Sequence, residues 1–265
     1  MSSIDQAALQ RLCDVARLAG REIMRHYGTA EACWQKADAS PVSIADVAAE
    51  RVIVGALTAW DATIPIVSEE SSMPSASLRA MWRRYWVVDP LDGTKEFLAR
   101  NGEFTVNIAL VDEGAPVLGV VLAPAFDLTY CAGRGLGAWR QRGVSRPERI
   151  SSGRWRPGQP ARVVESRSHP SRELEAFLAS IPVIERVPLG SSLKFCRVAE
   201  GSADLYPRFG PMMEWDVAAG DCIYRNSADV GERASPLRYD TPDRRVAGFV
   251  LGDDAMAATL ASTPA

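Results

Sequence analysis

Two acids and a glycine follow a short apolar run in the stretch WVVDPLDGTKEF, residues 86–97. The run YWVV predicts a buried strand that ends at Asp89. Pro90 excludes a regular helix and favours a sharp turn, after which Asp89 and Asp92 can point in the same direction. Gly93 lets a ligand approach the backbone closely, and the Thr94 hydroxyl is a further donor. The stretch therefore combines carboxylates with hydrogen-bond donors around one point.

A second acidic segment, SEE at residues 68–70, follows the short strand IPIVS at residues 64–68. Carboxylates repel each other, so grouping them costs free energy unless a cation or a proton lies between them. Amide and hydroxyl donors beside the acids suit a metal ion that is bound to a phosphate. Two alternatives are a tight turn whose aspartates cap a helix near Thr94, and a carboxylate pair that shares a proton.

The composition excludes several classes of protein. A net charge of -3 gives no strong field for a nucleic-acid polymer, and no apolar run of the 265 residues approaches the length of a membrane span. The amphipathic N-terminus does not resemble a signal peptide. The five cysteines form no C-x-x-C pair, which indicates reduced thiols in a cytoplasm. With only two histidines, a His-rich zinc site is excluded, and any metal would be bound by oxygen.

Strand and helix patterns alternate along the chain. In the first half they predict helices over 5–27 and 44–60, a loop over 71–79 and a meander of antiparallel strands over 104–141. Ser43 is the expected N-cap of the second helix, with Asp46 at the capping-box position. A crossing segment over 142–160 leads to a second half with strands RVVES, VIERV, DLYPRF and AGFVL. The predicted helices of that half are 170–180, 191–200, one that opens at WDVAAGDC, and a short closing helix. This order indicates a layered α/β protein.

Taken together, SEE, WVVDPLDGTKEF and EWDVAAGD resemble the inositol monophosphatase-like superfamily of metal-dependent, lithium-sensitive phosphatases. The similarity extends through KADASPVS, FTVNIAL, SLKFC and LYPRFGP to the bacterial bisphosphate nucleotidases of that superfamily. The resemblance implies a five-layer αβαβα sandwich. It also implies an N-terminal subdomain, 1–145, with the antiparallel sheet and most metal ligands, and a C-terminal subdomain, 146–265, with the substrate-specificity residues.

The resemblance assigns roles to named residues. The implied ligands of two or three Mg²⁺ ions are Glu69, Asp89, Asp92, Asp216 and the Leu91 carbonyl. Gly93 and Thr94 would bind the phosphate, and Glu70 would support the attacking water. Asp46 would pair with Thr94 to orient that water, although simple capping with Ser43 is an equal alternative. For Asp216, the alternative is an acid that only offsets the helix dipole.

The second half decides the substrate. Ser191 and Lys194 lie near a predicted helix start, where free backbone amides and the helix dipole favour binding of an anion. Arg208 occupies the position of a glutamate that is common in inositol monophosphatases, and an arginine there would pair with a second phosphate. The alternative is that these cations are ordinary surface charges. Arg167 and His169 are further candidates for the nucleotide pocket.

The implied reaction is hydrolysis of the 3'-phosphate of adenosine 3',5'-bisphosphate, or of 3'-phosphoadenosine 5'-phosphosulfate, by metal-activated water. The alternatives are an inositol or sugar monophosphatase and a non-catalytic protein that binds nucleotide and metal. The partner is then a small nucleotide bisphosphate, and the expected location is the cytoplasm, with peripheral association with the inner membrane left open. The sequence gives no indication of the oligomeric state.

Overall fold

A computed structural model describes residues 4–29, 33–35, 41–229, 231–233, 235, 237–239, 241 and 243–252. Most of the predicted loop before Ser43 and the predicted closing helix lie outside these residues. The helices are α1 Gln6–His26, α2 Ile44–Trp60, α3 Ala76–Arg79, α4 Thr94–Leu98, α5 Arg172–Ala179, α6 Leu193–Ala199 and α7 Glu214–Arg225. The first nine strands are β1 Cys33–Gln35, β2 Pro41–Ser43, β3 Ile66–Ser68, β4 Arg84–Asp92, β5 Thr105–Asp112, β6 Ala115–Ala123, β7 Leu128–Gly133, β8 Gly137–Arg142 and β9 Glu148–Ile150. The other six are β10 Ala161–Ser166, β11 Val183–Leu189, β12 Tyr206–Arg208, β13 Met212–Met213, β14 Arg245–Val246 and β15 Phe249–Leu251.

One large sheet holds the seven strands from β3 to β9 in sequence order. All neighbouring pairs in it are antiparallel except β3 and β4, which run parallel. The predicted antiparallel meander is therefore confirmed. The segment predicted as a loop over 71–79 contains the short helix α3, whose N-terminus is capped by Ser75.

Five layers follow from the apolar faces of these elements. Helices α1 and α2 pack on one face of the large sheet, and α6 and α7 pack on the other. Beyond α6 and α7 lie β11 and β10, which are parallel, and β12 and β15, which are antiparallel, with a bridge from Val163 to Leu205 that joins the two pairs. Helix α5 covers the outer face of these strands through Leu174 and Leu178. The predicted layered α/β architecture is confirmed.

The segment between the two halves extends the large sheet before it crosses over. Strand β9 pairs with β8 and lies beyond residue 145, where the sequence patterns predicted the end of the first subdomain. The division into 1–145 and 146–265 stays a prediction. Within the described residues, no helix has the length and apolar character to cross a bilayer.

Candidate metal and phosphate site

The parallel pairing of β3 with β4 brings the two acidic segments together. Ser68 lies opposite Val88, and the Glu69 amide donates to the Val88 carbonyl over 3.1 Å. Val67 and Val87 both face the α6 and α7 layer. Side chains alternate along a strand, so Glu69 and Asp89, each two residues further on, face the same layer. The strand ends thus place both carboxylates on one side of the sheet.

A bulge in β4 brings Asp92 to the same side. Asp89 and Asp92 are three positions apart, but their partners on β5, Asn107 and Thr105, are only two positions apart. In a regular strand, residues three apart point to opposite faces, and the extra residue of the bulge reverses this. The predicted end of the strand in a sharp turn at Asp89 was wrong. Strand β4 continues to Asp92, because a bulge accommodates a proline that cannot donate to the ladder.

Helix α7 contributes a further acid, Asp216, to the cluster that the ends of β3 and β4 begin. Asp216 lies in its first turn, where one carboxylate oxygen accepts from the Met213 amide over 2.9 Å. Carboxylate oxygens of Glu69, Asp89 and Asp216 all lie within 4.8 Å of one another. Asp216 therefore caps its helix and also faces the other acids, so the two interpretations of this residue are compatible.

The acids fit a hard cation better than they fit one another. Oxygen Oδ1 of Asp89 accepts from the Leu91 amide, while the buried Oδ2 has no hydrogen-bond partner among the described residues. Burial, and then the charges of Glu69 and Asp92, raise the pKa of Asp89 well above its ordinary value. Burial raises the pKa of Asp92 to about 6, and burial and Asp92 raise that of Asp216 to about 8. An all-oxygen set with an unpartnered buried oxygen suits Mg²⁺.

Gly93 and Thr94, the pair predicted to bind phosphate, lie where β4 ends and α4 begins. Gly93 has φ 91°, and a β-carbon there would lie 3.2 Å from the Glu103 carbonyl oxygen. This left-handed conformation and close approach require glycine. Helix α4 does begin at Thr94, but none of the described side chains caps it. The interpretation of the aspartates as mere capping residues is therefore wrong for α4.

Asp46 contacts both of its predicted partners. Its Oδ2 accepts from the amide and hydroxyl of Ser43, over 2.8 and 2.6 Å, as in a capping box. Its Oδ1 accepts from the Thr94 hydroxyl over 3.4 Å. Burial raises the pKa of Asp46, against the hydrogen bonds from Ser43. One carboxylate thus caps α2 and reaches the turn.

Cationic side chains line the same cleft as the acids. Lys194 is 5% exposed, and its Nζ donates to the carbonyls of Leu189 and Ser191. Burial lowers the pKa of Lys194 to about 8; the charge of Asp92 opposes this shift and that of Arg208 adds to it. The buried Nε of Arg208 and Oγ of Ser191 have no hydrogen-bond partner within the described part of the chain. Lys194 is therefore no ordinary surface charge.

The cleft that the acids and the cations line has a volume of about 520 Å³. It contains most of the predicted residues: Glu69, Asp89, Leu91, Asp92, Gly93, Thr94, His169, Ser191, Lys194, Arg208 and Asp216. Other residues that line the cleft were not predicted, among them Lys95, Glu96, Ser168, Tyr206 and Met212. Lys95 and Glu96 directly follow Thr94 in the sequence, and this proximity could have indicated that they line the cleft.

Three predicted residues lie outside the cleft lining: Asp46, which reaches it only through Thr94, Arg167 and Glu70. Arg167 is not among the residues that line the cleft; its guanidinium binds both carboxylate oxygens of Glu103, over 2.7 and 2.9 Å, and the Pro188 carbonyl. The expectation for Arg167 was wrong because an acid distant in sequence provides a bidentate partner. Glu70 is half-buried and outside the cleft lining, so its supporting role stays a prediction.

Comparisons with known proteins agree with this fold. The model of the inositol monophosphatase family matches residues 5–228. The chain is 48% identical over 218 residues to the 3'(2'),5'-bisphosphate nucleotidase CysQ of Escherichia coli K12, with 81% of this chain and 86% of that protein covered. It is 49% identical to the protein of the same name from Salmonella typhimurium, with the same coverage. The crystal structure of CysQ from Bacteroides thetaiotaomicron has a TM-score of 0.78 and 39% identity, covering 92% of this chain and 96% of that one.

The acidic cluster predicts how metal-free stability depends on pH. Raised carboxyl pKa values mean that the folded protein holds protons that the unfolded chain releases, so stability falls as the pH rises from about 4 through the pKa values of Asp92 and Asp216, about 6 and 8. Asp89→Asn removes one repelling charge. At pH 8, in chelator, we expect it to raise Tm by at least about 2–4 °C, which corresponds to about 1 kcal/mol at this length.

The same variant should lose the response to Mg²⁺, whereas Mg²⁺ should raise Tm of the parent protein. Asp127→Asn is the matched control, because Asp127 is exposed and outside the cleft, and it should leave both quantities unchanged. Thermal unfolding with and without Mg²⁺ measures both. A metal-free Asp89→Asn protein that is less stable than the parent would contradict the interpretation of Asp89 as a repelling acid.

Proposed function

The chain belongs to the inositol monophosphatase family, and on that premise we propose that it is a Mg²⁺-dependent 3'(2'),5'-bisphosphate nucleotidase. Its reaction would be hydrolysis of the 3'-phosphate of adenosine 3',5'-bisphosphate to AMP and phosphate. The 5'-phosphosulfate relative of that nucleotide is a second substrate of the same chemical class. The relatives at 48–49% identity carry the same activity in their names, which supports the proposal.

The observation that carries the proposal is that a cluster of acids and a pair of cations line one cleft. Three carboxylates approach within 4.8 Å, and the buried Asp89 Oδ2 has no partner among the described residues. Lys194 and the unpartnered Nε of Arg208 present positive charge. A substrate with two phosphates would match both groups: one phosphate would bind the metal held by the acids, and the other would bind Lys194 and Arg208. A monophosphate bound at the acids would leave Arg208 and Lys194 without a bound anion.

Glu69, Asp89, Asp92 and Asp216 would hold the metal, together with the Leu91 carbonyl. All of these donors are hard oxygens, which Mg²⁺ prefers. When bound, Mg²⁺ supplies positive charge that neutralises the phosphoryl oxygens and makes a water molecule easier to deprotonate. The number of ions, two or three, and the role of Glu70 in supporting the water are part of the proposal.

The chain's own donors would orient the reacting groups. The Thr94 hydroxyl donates to Asp46, so its lone pairs remain available to accept a hydrogen bond from the attacking water. Gly93 packs closely against the Glu103 carbonyl, and in the proposed complex its backbone amide would donate to a phosphoryl oxygen. We propose that water is the nucleophile, because a metal-bound water can be deprotonated readily and no cysteine or serine nucleophile is then needed.

The second phosphate would act at a distance from the reaction. Binding of a remote group helps to position the reacting one, and in the proposed complex Arg208, Lys194 and Ser191 supply this binding. Lys194 is held by two backbone carbonyls, so its ammonium is oriented before the substrate arrives. The cytoplasm remains the proposed location, supported by free thiols at the described Cys13, Cys131, Cys196 and Cys222.

A panel of phosphate esters tests the function. With Mg²⁺, adenosine 3',5'-bisphosphate should have a kcat/KM at least about tenfold above that of inositol monophosphate and of sugar monophosphates. Chelator should abolish turnover of every ester, and added Mg²⁺ should restore it. Phosphate release is the measurement. A higher kcat/KM for inositol monophosphate would instead assign an inositol phosphatase, and turnover of no ester would favour a binding protein.

Arg208→Glu tests the source of specificity. It introduces a negative charge where the second phosphate should lie, so kcat/KM for adenosine 3',5'-bisphosphate should fall on the order of 100-fold or more. Hydrolysis of inositol monophosphate, which lacks that phosphate, should fall much less. Both substrates are measured at fixed Mg²⁺ and fixed salt.

Arg154→Glu is the control for the change in net charge, because Arg154 is exposed and outside the cleft. This variant should change kcat/KM for either substrate by no more than about twofold. Equal losses for the two substrates in Arg208→Glu would show that Arg208 supports the fold or the metal site and does not select the substrate.

A further inference from the structure

A chain of buried hydrogen bonds begins at Asp92, passes through Ser192 in the other half of the molecule and ends at Thr105 on β5. The Asn107 side-chain amide donates to Asp92 Oδ2 over 3.3 Å. Ser192 Oγ lies 2.7 Å from Asn107 Oδ1, and Thr105 Oγ1 lies 2.9 Å from Ser192 Oγ. Asn107, Ser192 and Thr105 are each at most 2% exposed. These three side chains are called the relay below.

The chemistry of the groups fixes the direction of every bond in the relay. An ionised carboxylate can only accept, so the Asn107 NH₂ group faces Asp92 and its carbonyl oxygen faces Ser192. That oxygen must receive the single Ser192 hydroxyl proton. The Thr105 hydroxyl must then donate to Ser192 Oγ. All three donors therefore point towards Asp92, and the negative charge of one carboxylate orients the whole relay.

The relay joins two elements that approach each other only in the folded protein. Asn107 and Thr105 lie on β5, opposite Asp89 and Asp92 across the bulge. Ser192 precedes α6 directly, next to Ser191, whose φ is 49°. Lys194 lies two residues further on and donates back to the Ser191 carbonyl. The orientation of Asp92 is thus linked to the turn that carries the cleft's Ser191 and Lys194.

We propose that Asn107, Ser192 and Thr105 are positioning residues: they fix the Asp92 carboxylate for the metal ion and tie it to the turn that binds the second phosphate. The metal and substrate named here rest on the proposed function. The relay itself rests on four side chains and their hydrogen bonds. Removing an outer partner of a metal-binding carboxylate typically weakens metal affinity about 10- to 100-fold.

Ser192→Ala tests the relay with a readout that does not involve turnover. Without the serine hydroxyl, Asn107 Oδ1 loses its donor, and the amide can rotate away from Asp92. We expect the Kd of the protein for Mg²⁺, measured by calorimetry without substrate, to rise about 10-fold or more. Mn²⁺ titration followed by electron paramagnetic resonance gives an independent value. Ser227→Ala is the matched control, because Ser227 is equally buried and donates to the Tyr224 carbonyl away from the cleft.

Thr105 provides a second, milder pair of variants. Thr105→Val removes the donor at the far end of the relay and should weaken Mg²⁺ affinity about threefold or more, while Thr105→Ser keeps the hydroxyl and should restore it. This pair carries the test if Ser192→Ala does not fold. Equal Mg²⁺ affinities in Thr105→Val and Thr105→Ser would then overturn the relay.

Unchanged Mg²⁺ affinity in a folded Ser192→Ala protein would overturn the proposal, even if Tm fell, because the serine would then serve only the packing. The assay uses metal ions alone, so it is independent of the substrate. Weaker Mg²⁺ binding in Ser192→Ala, in a protein that proves not to hydrolyse nucleotide bisphosphates, would leave the relay standing and overturn the proposed function.

Discussion

The mutual repulsion of buried carboxylates around Asp89 is the constraint on which the site depends. Asp89 is fully buried, and its neighbours Glu69, Asp92, Asp216 and Asp46 all raise its pKa. Such a group is stable in its charged form only when positive charge lies beside it. The fold maintains the crowding through three unrelated devices: one parallel strand pair, one bulge and one helix start. A cation removes the repulsion that these devices create.

The division of labour between the two halves follows from the same constraint. The large sheet supplies acids in fixed positions, because strand ends and a bulge define where the side chains point. The second half closes the cleft with Asp216 and contributes the cations Lys194 and Arg208. Burial lowers the pKa of Lys194, and Asp92 lies close enough for its negative charge to oppose this shift. The acidic cluster and the cations are therefore electrostatically connected, which would suit a substrate with negative charge at both ends.

Much of this arrangement could be predicted from sequence, because local patterns encode it. Helix α2 begins and ends where periodicity and the Ser43 cap indicate, and the motif acids meet at one cleft. The bulge was missed, since it depends on the register with β5, which no local pattern specifies. Arg167 was misassigned because its partner Glu103 is 64 residues away. The relay joins residues 85 apart, and its one visible signal was a polar Asn107 within an apolar strand.

Diffraction from crystals grown with Mn²⁺ tests the central claim most directly, because anomalous scattering locates the metal without reference to activity. The account predicts a strong peak within coordination distance of Asp89 Oδ2, Glu69 and Asp216, where the carboxylate oxygens now lie within 4.8 Å of one another. Asp92 should face the same metal cluster. No anomalous peak among these acids at millimolar Mn²⁺ and pH 8 would contradict it, and would mean that shared protons hold the carboxylates together.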